Sequence, residues 1–241
     1  MLTKAVEIEC VKSAREPGIR NPKRPRADFL NIVSHFFKGY NFEKMSFLDL
    51  GPGQYDFGEI VRIKGGETTS IELDPAVINL GYLKKMNVIE GNLVDSEVFT
   101  NLRDSFDGLF NRGSFNAANF TNETEHRKYL ESMISVVKPS GVFWLAPCND
   151  PVADSNSESD KIFQDCVNFQ IQFFKDNGFT VVNCTPLMVW AFGIWSTKPE
   201  LIYTKNLHFS LNEINRKLKI KQVIHNSIPL RIYRKLIRFF K

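Results

Sequence analysis

Between residues 46 and 146 the chain repeats one pattern: a short apolar run, a turn, then a segment with helical spacing. Ser46-Phe-Leu-Asp-Leu50 reads as a buried strand, Gly51 to Gly53 as its turn, and residues 57–63 as the helix that follows. Residues 68–72 form a second strand. Pro75 suits a first helical position, where its missing N–H is no loss, and the helix it opens runs to about Lys85. Residues 87–90, 106–110 and 142–146 supply a third, fourth and fifth strand. A short helix at 96–102 and a longer one at 123–137 separate them, and Tyr129, Leu130, Met133, Ile134 and Val137 make an apolar stripe on the second. Pro139-Ser-Gly141 stops that helix. Beyond a polar stretch at 149–160, a helix at 160–177 ends at Gly178, and residues 179–183 and 201–209 read as two further strands. Alternating strands and helices leave few topologies, because crossovers between parallel strands are right-handed. The expected architecture is therefore α/β: a doubly wound, mostly parallel, seven-stranded sheet with helices on both faces. Ligands in such sheets bind outside the carboxyl ends of the strands, near the point where strand order reverses.

The repeat occupies the middle of the chain, which divides it into three expected parts. Residues 1–45 are an irregular segment ending in a helix at 27–39, residues 46–213 are the body, and residues 214–241 are a basic tail. The tail carries nine Lys and Arg and no Asp or Glu, whereas the rest of the chain is net acidic. Such asymmetry points to an anionic partner for the tail. No run approaches the roughly 18 apolar residues of a membrane span, and the N-terminus lacks the apolar centre of a signal peptide, so the chain is expected in the cytoplasm. Cys10, Cys148, Cys166 and Cys184 are too scattered for a zinc or iron–sulfur site, and His35, His126, His208 and His225 are likewise not spaced as metal ligands. No metal is expected.

Chemistry concentrates after the first two strands. Glycines at 51 and 53 let the backbone turn sharply and approach a ligand closely. Glu72 closes the second strand roughly 20 residues later, where a carboxylate can accept from both hydroxyls of a ribose. Together they imply a nucleoside-containing cofactor. A dinucleotide site would place a third glycine where Asp56 stands and a pyrophosphate on the helix N-terminus. A carboxylate there repels a pyrophosphate, and Asp49 adds to the repulsion. A ligand carrying a sulfonium and an α-ammonium, S-adenosylmethionine, suits the site better. A nucleotide-dependent oxidoreductase is the alternative.

At these residues the chain resembles the class I S-adenosylmethionine-dependent methyltransferase family, over about residues 47–146. The matching stretches are Asp49-Leu-Gly51-Pro52-Gly53-Gln-Tyr55, Ile71-Glu72-Leu73-Asp74-Pro75, Val88-Ile-Glu-Gly91-Asn92-Leu93, Phe106-Asp107-Gly-Leu-Phe-Asn111 and Val137-Lys138-Pro139-Ser-Gly141. The resemblance implies a Rossmann-like methyltransferase fold and a set of roles. The Gly51-Pro52-Gly53 turn holds the methionine end, and Asp49 reaches toward the α-ammonium. Glu72 binds the ribose, Leu73 lies against the adenine, and Asn92 and the Leu93 N–H meet its edge. Asn111 sits beneath the methionine. Tyr55 stands where many members have a third glycine and could narrow the site or reach the substrate; Asn92 replaces the more frequent Asp.

Transfer to oxygen or nitrogen also needs a group to accept a proton. The candidates after strands four and five are Arg112, Ser114, Asn116, Asn119, Asn149 and Asp150; Asp150 is the one carboxylate and is the candidate base, Asn116 is the second catalytic candidate, and a solvated loop carboxylate is the alternative reading of Asp150. The signature of amino-directed nucleic-acid methyltransferases is not seen after strand four, where Asn111-Arg-Gly-Ser114 stands instead. A small-molecule or glycan acceptor is therefore expected, and nucleic acid is not. The 51–56 and 112–116 stretches loosely resemble methyltransferases of bacterial surface-polysaccharide clusters. Leu230, Tyr233, Ile237 and Phe240 share one helical face of the tail, flanked by Arg231, Arg234, Lys235, Arg238 and Lys241, a pattern that can lie on an anionic membrane. Docking of that helix on the body, RNA methylation through the tail, and a non-catalytic cofactor-fold module remain the alternatives.

Overall fold

A computed structural model of the chain describes residues 42–112, 122–146, 158–183 and 201–205. The expected helix at 27–39, the tail, and the candidates Asn116 and Asp150 lie outside them. The described elements run β1 (Ser46–Leu50), α1 (Asp56–Ile63), β2 (Glu67–Glu72), α2 (Pro75–Leu83), β3 (Asn87–Glu90), a 3-10 turn (Ser96–Phe99), β4 (Phe106–Arg112), α3 (Glu123–Val136), β5 (Val137–Ala146), α4 (Glu158–Asp176), β6 (Thr180–Asn183) and β7 (Leu201–Thr204). They build one seven-stranded sheet in the order β3-β2-β1-β4-β5-β7-β6. All pairings are parallel except those of β7, which runs antiparallel to both β5 and β6.

Local chemistry sets the element ends. Asp74 Oδ1 accepts the Ala76 N–H at 2.9 Å and caps α2 just before Pro75. Asn122 Oδ1 does the same for Glu125 at the start of α3. Helix α4 stops at Gly178, whose φ of 79° lets the Gly178 and Phe179 N–H groups return to Lys175 and Phe174.

β1 lies between β2 and β4, and chain order reverses there. Right-handed crossovers put α1 and α2 on one face and α3 on the other. On the α3 face, Leu48, Leu50, Leu109, Phe143 and Leu145 pack with Tyr129, Leu130 and Met133 of α3 and with Val167, Phe173 and Phe174 of α4. Each fully buried leucine there contributes on the order of 2 kcal/mol of transfer free energy. On the α1 face the strands present Phe47, Phe110 and Trp144. Phe57 of α1 stacks on Phe110 at 4.0 Å, and Phe110 meets Trp144 edge-on at 5.4 Å.

One boundary differs from the sequence expectation. β5 begins at Val137, directly after α3, rather than at Val142. The ladder to β4 passes from Phe106–Val137 to Gly108–Val142, so residues 138–141 are looped out between two paired positions. Lys138 uses that loop to reach Asp107 Oδ1 at 2.8 Å, while Asp107 Oδ2 accepts the Ser46 N–H at 2.8 Å. Partial burial works against ionisation of Asp107, but the Lys138 and Ser46 bonds prevail and hold its carboxyl below the usual range. This carboxylate of the fourth-strand motif thus stitches the amino edge of the sheet, away from the expected site. No helix among the described residues is long and apolar enough to cross a membrane.

Candidate functional site

The carboxyl edge of β1 leads into an irregular turn. The Gly51 N–H extends the β1–β2 ladder to Ile71 O at 3.0 Å, and Tyr55 N–H closes the turn on Pro52 O at 2.9 Å. Gly51, Gly53 and Tyr55 all have positive φ, at 63°, 55° and 61°. Glycine takes that conformation freely; a tyrosine is held there at a cost of roughly 1 kcal/mol. Residues 51–54 are half-buried and border the edge of the sheet.

Tyr55 does not reach toward the substrate side. Its ring is wholly buried on the α2 side, and Oη donates to Val77 O at 3.0 Å. The space it fills exists because residue 81 is glycine: a Cβ there would lie 2.4 Å from Tyr55 Oη and 2.6 Å from Val88 Cγ2.

Beneath the turn, Asp49 is buried on β1 beside Ser70 of β2, its register partner. Asp49 Oδ2 and Ser70 Oγ are both buried without a hydrogen-bond partner among the described residues. The Asp49 carboxyl is pushed up to about 8, by burial first and then by the charges of Glu72 and Asp56. Among the described residues no cation acts on it. Lys84, the buried lysine of the neighbourhood, instead donates to Gln54 O at 2.7 Å and lies 3.6 Å from Glu59. A buried carboxyl with an unused oxygen and no counter-ion among the described residues fits an ammonium group, whose charge would let it ionise. The residues present therefore suit the ammonium-bearing methionine end of S-adenosylmethionine.

Glu72 closes β2 as expected. Its Oε1 accepts the Leu73 and Asp74 N–H groups at 2.8 and 3.0 Å, which locks the carboxylate and leaves Oε2 unused among the described residues. Leu73, next along, is 55% exposed, an apolar surface awaiting cover. β3 lies alongside through the Glu72–Glu90 pair, and the Gly91 N–H reaches Glu72 O at 2.9 Å. That brings Asn92 next to the Glu72–Leu73 turn. Asn92 Oδ1 accepts the Val94 N–H at 3.2 Å, so one of its two lone pairs and the amide N–H2 are what remain for a ligand. Leu93 packs its side chain into the main core. Asn111 is buried on β4, paired between Leu50 and Leu145, one residue below the Gly51 turn.

Asp49, Gly51, Pro52, Gly53, Glu72, Leu73, Asn92, Leu93 and Asn111 thus lie along the carboxyl ends of four adjacent strands. The acceptor-side candidates Asn116 and Asp150 are outside the described residues, as are Ser114, Asn119, Asn149, His35 and the side chain of Arg112. Sequence reasoning passed over Ser70 and Lys84. Helical spacing held a signal for Lys84, since positions 77, 81 and 84 share one face of a helix.

The fold is shared with solved methyltransferases. A SAM-dependent methyltransferase from Archaeoglobus fulgidus is 15% identical at a TM-score of 0.50, over 75% of this chain and 94% of that one. A protein from Pyrococcus horikoshii OT3 is 16% identical at a TM-score of 0.52, over 77% of this chain and 92% of that one. A Galdieria sulphuraria protein with the provisional name of sarcosine dimethylglycine methyltransferase is 11% identical at a TM-score of 0.50, over 76% of this chain and 86% of that one. Identities this low carry the fold and nothing finer. No protein-family profile matches the chain. No curated relative is detectable by sequence.

Proposed function

We propose that this chain, which has the fold of the class I methyltransferases, binds S-adenosylmethionine along the carboxyl ends of β1 to β4 and transfers its methyl group to a small-molecule or glycan acceptor. The observation that carries the reading is Asp49: a buried carboxyl with an unused oxygen and no counter-ion among the described residues, directly under a positive-φ glycine turn. When bound, S-adenosylmethionine supplies a methyl carbon already activated by its sulfonium. Asp49 accepts from the α-ammonium while the 51–53 backbone holds the methionine end. Glu72 Oε2 accepts from the ribose hydroxyls, Leu73 covers one adenine face, and Asn92 with the Leu93 N–H meets its edge. Asn111 supports the methionine from β4.

Catalysis then consists mainly of aligning the acceptor with the methyl group for in-line displacement. An oxygen nucleophile must also lose its proton, and Asp150, assisted by Asn116, is the group we assign to take it. The basic amphipathic tail would hold the enzyme against an anionic membrane, where a lipid-linked glycan is presented.

Titration calorimetry with S-adenosylmethionine, S-adenosylhomocysteine and NAD tests the reading. Binding of both sulfur nucleosides with none of NAD is expected; NAD binding without them overturns it.

A further inference from the structure

Helix α2 grips the glycine turn at two points. Val77, Gly81 and Lys84 stand one and two helical turns apart and share a face. Val77 O takes the Tyr55 hydroxyl at 3.0 Å, Gly81 leaves room for the Tyr55 ring, and Lys84 Nζ donates to Gln54 O at 2.7 Å. The Lys84 side chain is 3% exposed, and its backbone carbonyl is tied to α1 by Arg62 Nη1 at 2.9 Å. Its ammonium also lies 3.6 Å from Glu59 of α1, so a buried lysine charge is balanced by a carboxylate while its short bond goes to a loop carbonyl. The loop it holds is the one whose three positive-φ residues make it least able to hold itself.

We propose that Lys84 is a positioning residue for the cofactor: through Gln54 it fixes the 51–55 backbone in the shape that receives the methionine end, and Tyr55 assists from Val77. The inference rests on the function proposed above, and it separates the two ends of the ligand. The adenosine end meets Glu72, Leu73 and Asn92, whereas the Lys84 ammonium is bonded to Gln54 O in the glycine turn.

Calorimetry on the full chain with S-adenosylhomocysteine and with methylthioadenosine, which lacks the amino-acid end, provides the test. For Lys84→Met the S-adenosylhomocysteine Kd should rise at least tenfold while that of methylthioadenosine stays within about twofold, and Lys84→Arg should recover most of the loss. A merely structural lysine would weaken both ligands alike or neither, and either result overturns the proposal. If Lys84→Met does not fold, Tyr55→Phe decides: a selective loss of S-adenosylhomocysteine affinity of about threefold or more supports the clamp, and unchanged affinity refutes it. A wild-type chain that binds neither nucleoside defeats the proposed function itself, a result distinct from a wild type and Lys84→Met that bind equally well.

Discussion

Replacing Asp49 by Asn keeps the shape of the side chain and removes its proton chemistry. In the folded, ligand-free chain the carboxyl titrates at about 8 because it is buried first and faces Glu72 and Asp56 second. In the unfolded chain it titrates near 4. Between those values the folded state holds one proton that the unfolded state has released. Stability from this group is therefore complete below about pH 4 and declines as pH rises toward 8. The slope is about 1 kcal/mol per pH unit, so the loss between pH 6 and 8 is about 2 kcal/mol. For a chain of this length that lowers the melting temperature by roughly 4–8 °C. Asp49→Asn should lack this slope. Ligand affinity should show the opposite trend, because an ammonium needs the ionised carboxylate. Wild-type affinity for S-adenosylhomocysteine should rise from pH 6 to 8, and the variant should bind weakly throughout. Scanning calorimetry at several pH values, with and without ligand, measures both. Parallel melting profiles for wild type and variant would refute the argument that Asp49 is protonated for want of a counter-ion.

Three further outcomes are expected. Gly51→Arg should abolish cofactor binding, because it strains a φ of 63° and puts a cation into the acidic crevice; unchanged affinity by calorimetry would mean the turn does not border the ligand. Gly81→Ala should destabilise by about 1–3 kcal/mol in urea titrations, because its Cβ meets the Tyr55 hydroxyl and Val88. Adding Tyr55→Phe should restore part of that, and no restoration would show the clash lies elsewhere. Deleting residues 222–241 should reduce flotation with anionic liposomes and leave cofactor affinity intact, whereas loss of folding would show that the tail docks on the body.

The α/β class and its seven mostly parallel strands were legible because their determinants are local: short apolar runs, Pro75 at a helix start, Gly178 at a helix end, and a right-handed crossover rule that puts helices on both faces, whereas the strand order and the reversal of β7 rest on contacts distant in sequence. The Asp49–Gly53 turn and Glu72 were legible for the same reason, as each sits at a strand end marked in the sequence itself. Tyr55 was not. Its burial depends on Gly81, a residue one helix, one strand and most of a second helix further on, so the sequence alone left it free to face the substrate. Lys84 reads as an ordinary lysine at the end of a helix, and only the packing of α2 on the turn buries it. Pro139 and Gly141 signal a break in the sequence without saying that Val137 already pairs, which hides the looped-out segment at 138–141.

The reversed strand β7 has a consequence for synthesis. Among the described residues β6 joins the sheet through β7 alone, and β7 is also what covers the outer edge of β5. A nascent chain that has not yet delivered Leu201–Thr204 holds β6 without a partner and leaves the Phe143–Trp144 backbone open to pairing with another molecule. The N-terminal strands can zip up as they emerge, but the sheet closes only when four late residues slide between two strands made earlier. Truncations that stop short of Thr204 should therefore aggregate rather than fold into a smaller domain, and the natural place for a chaperone to act is the interval before β7 arrives.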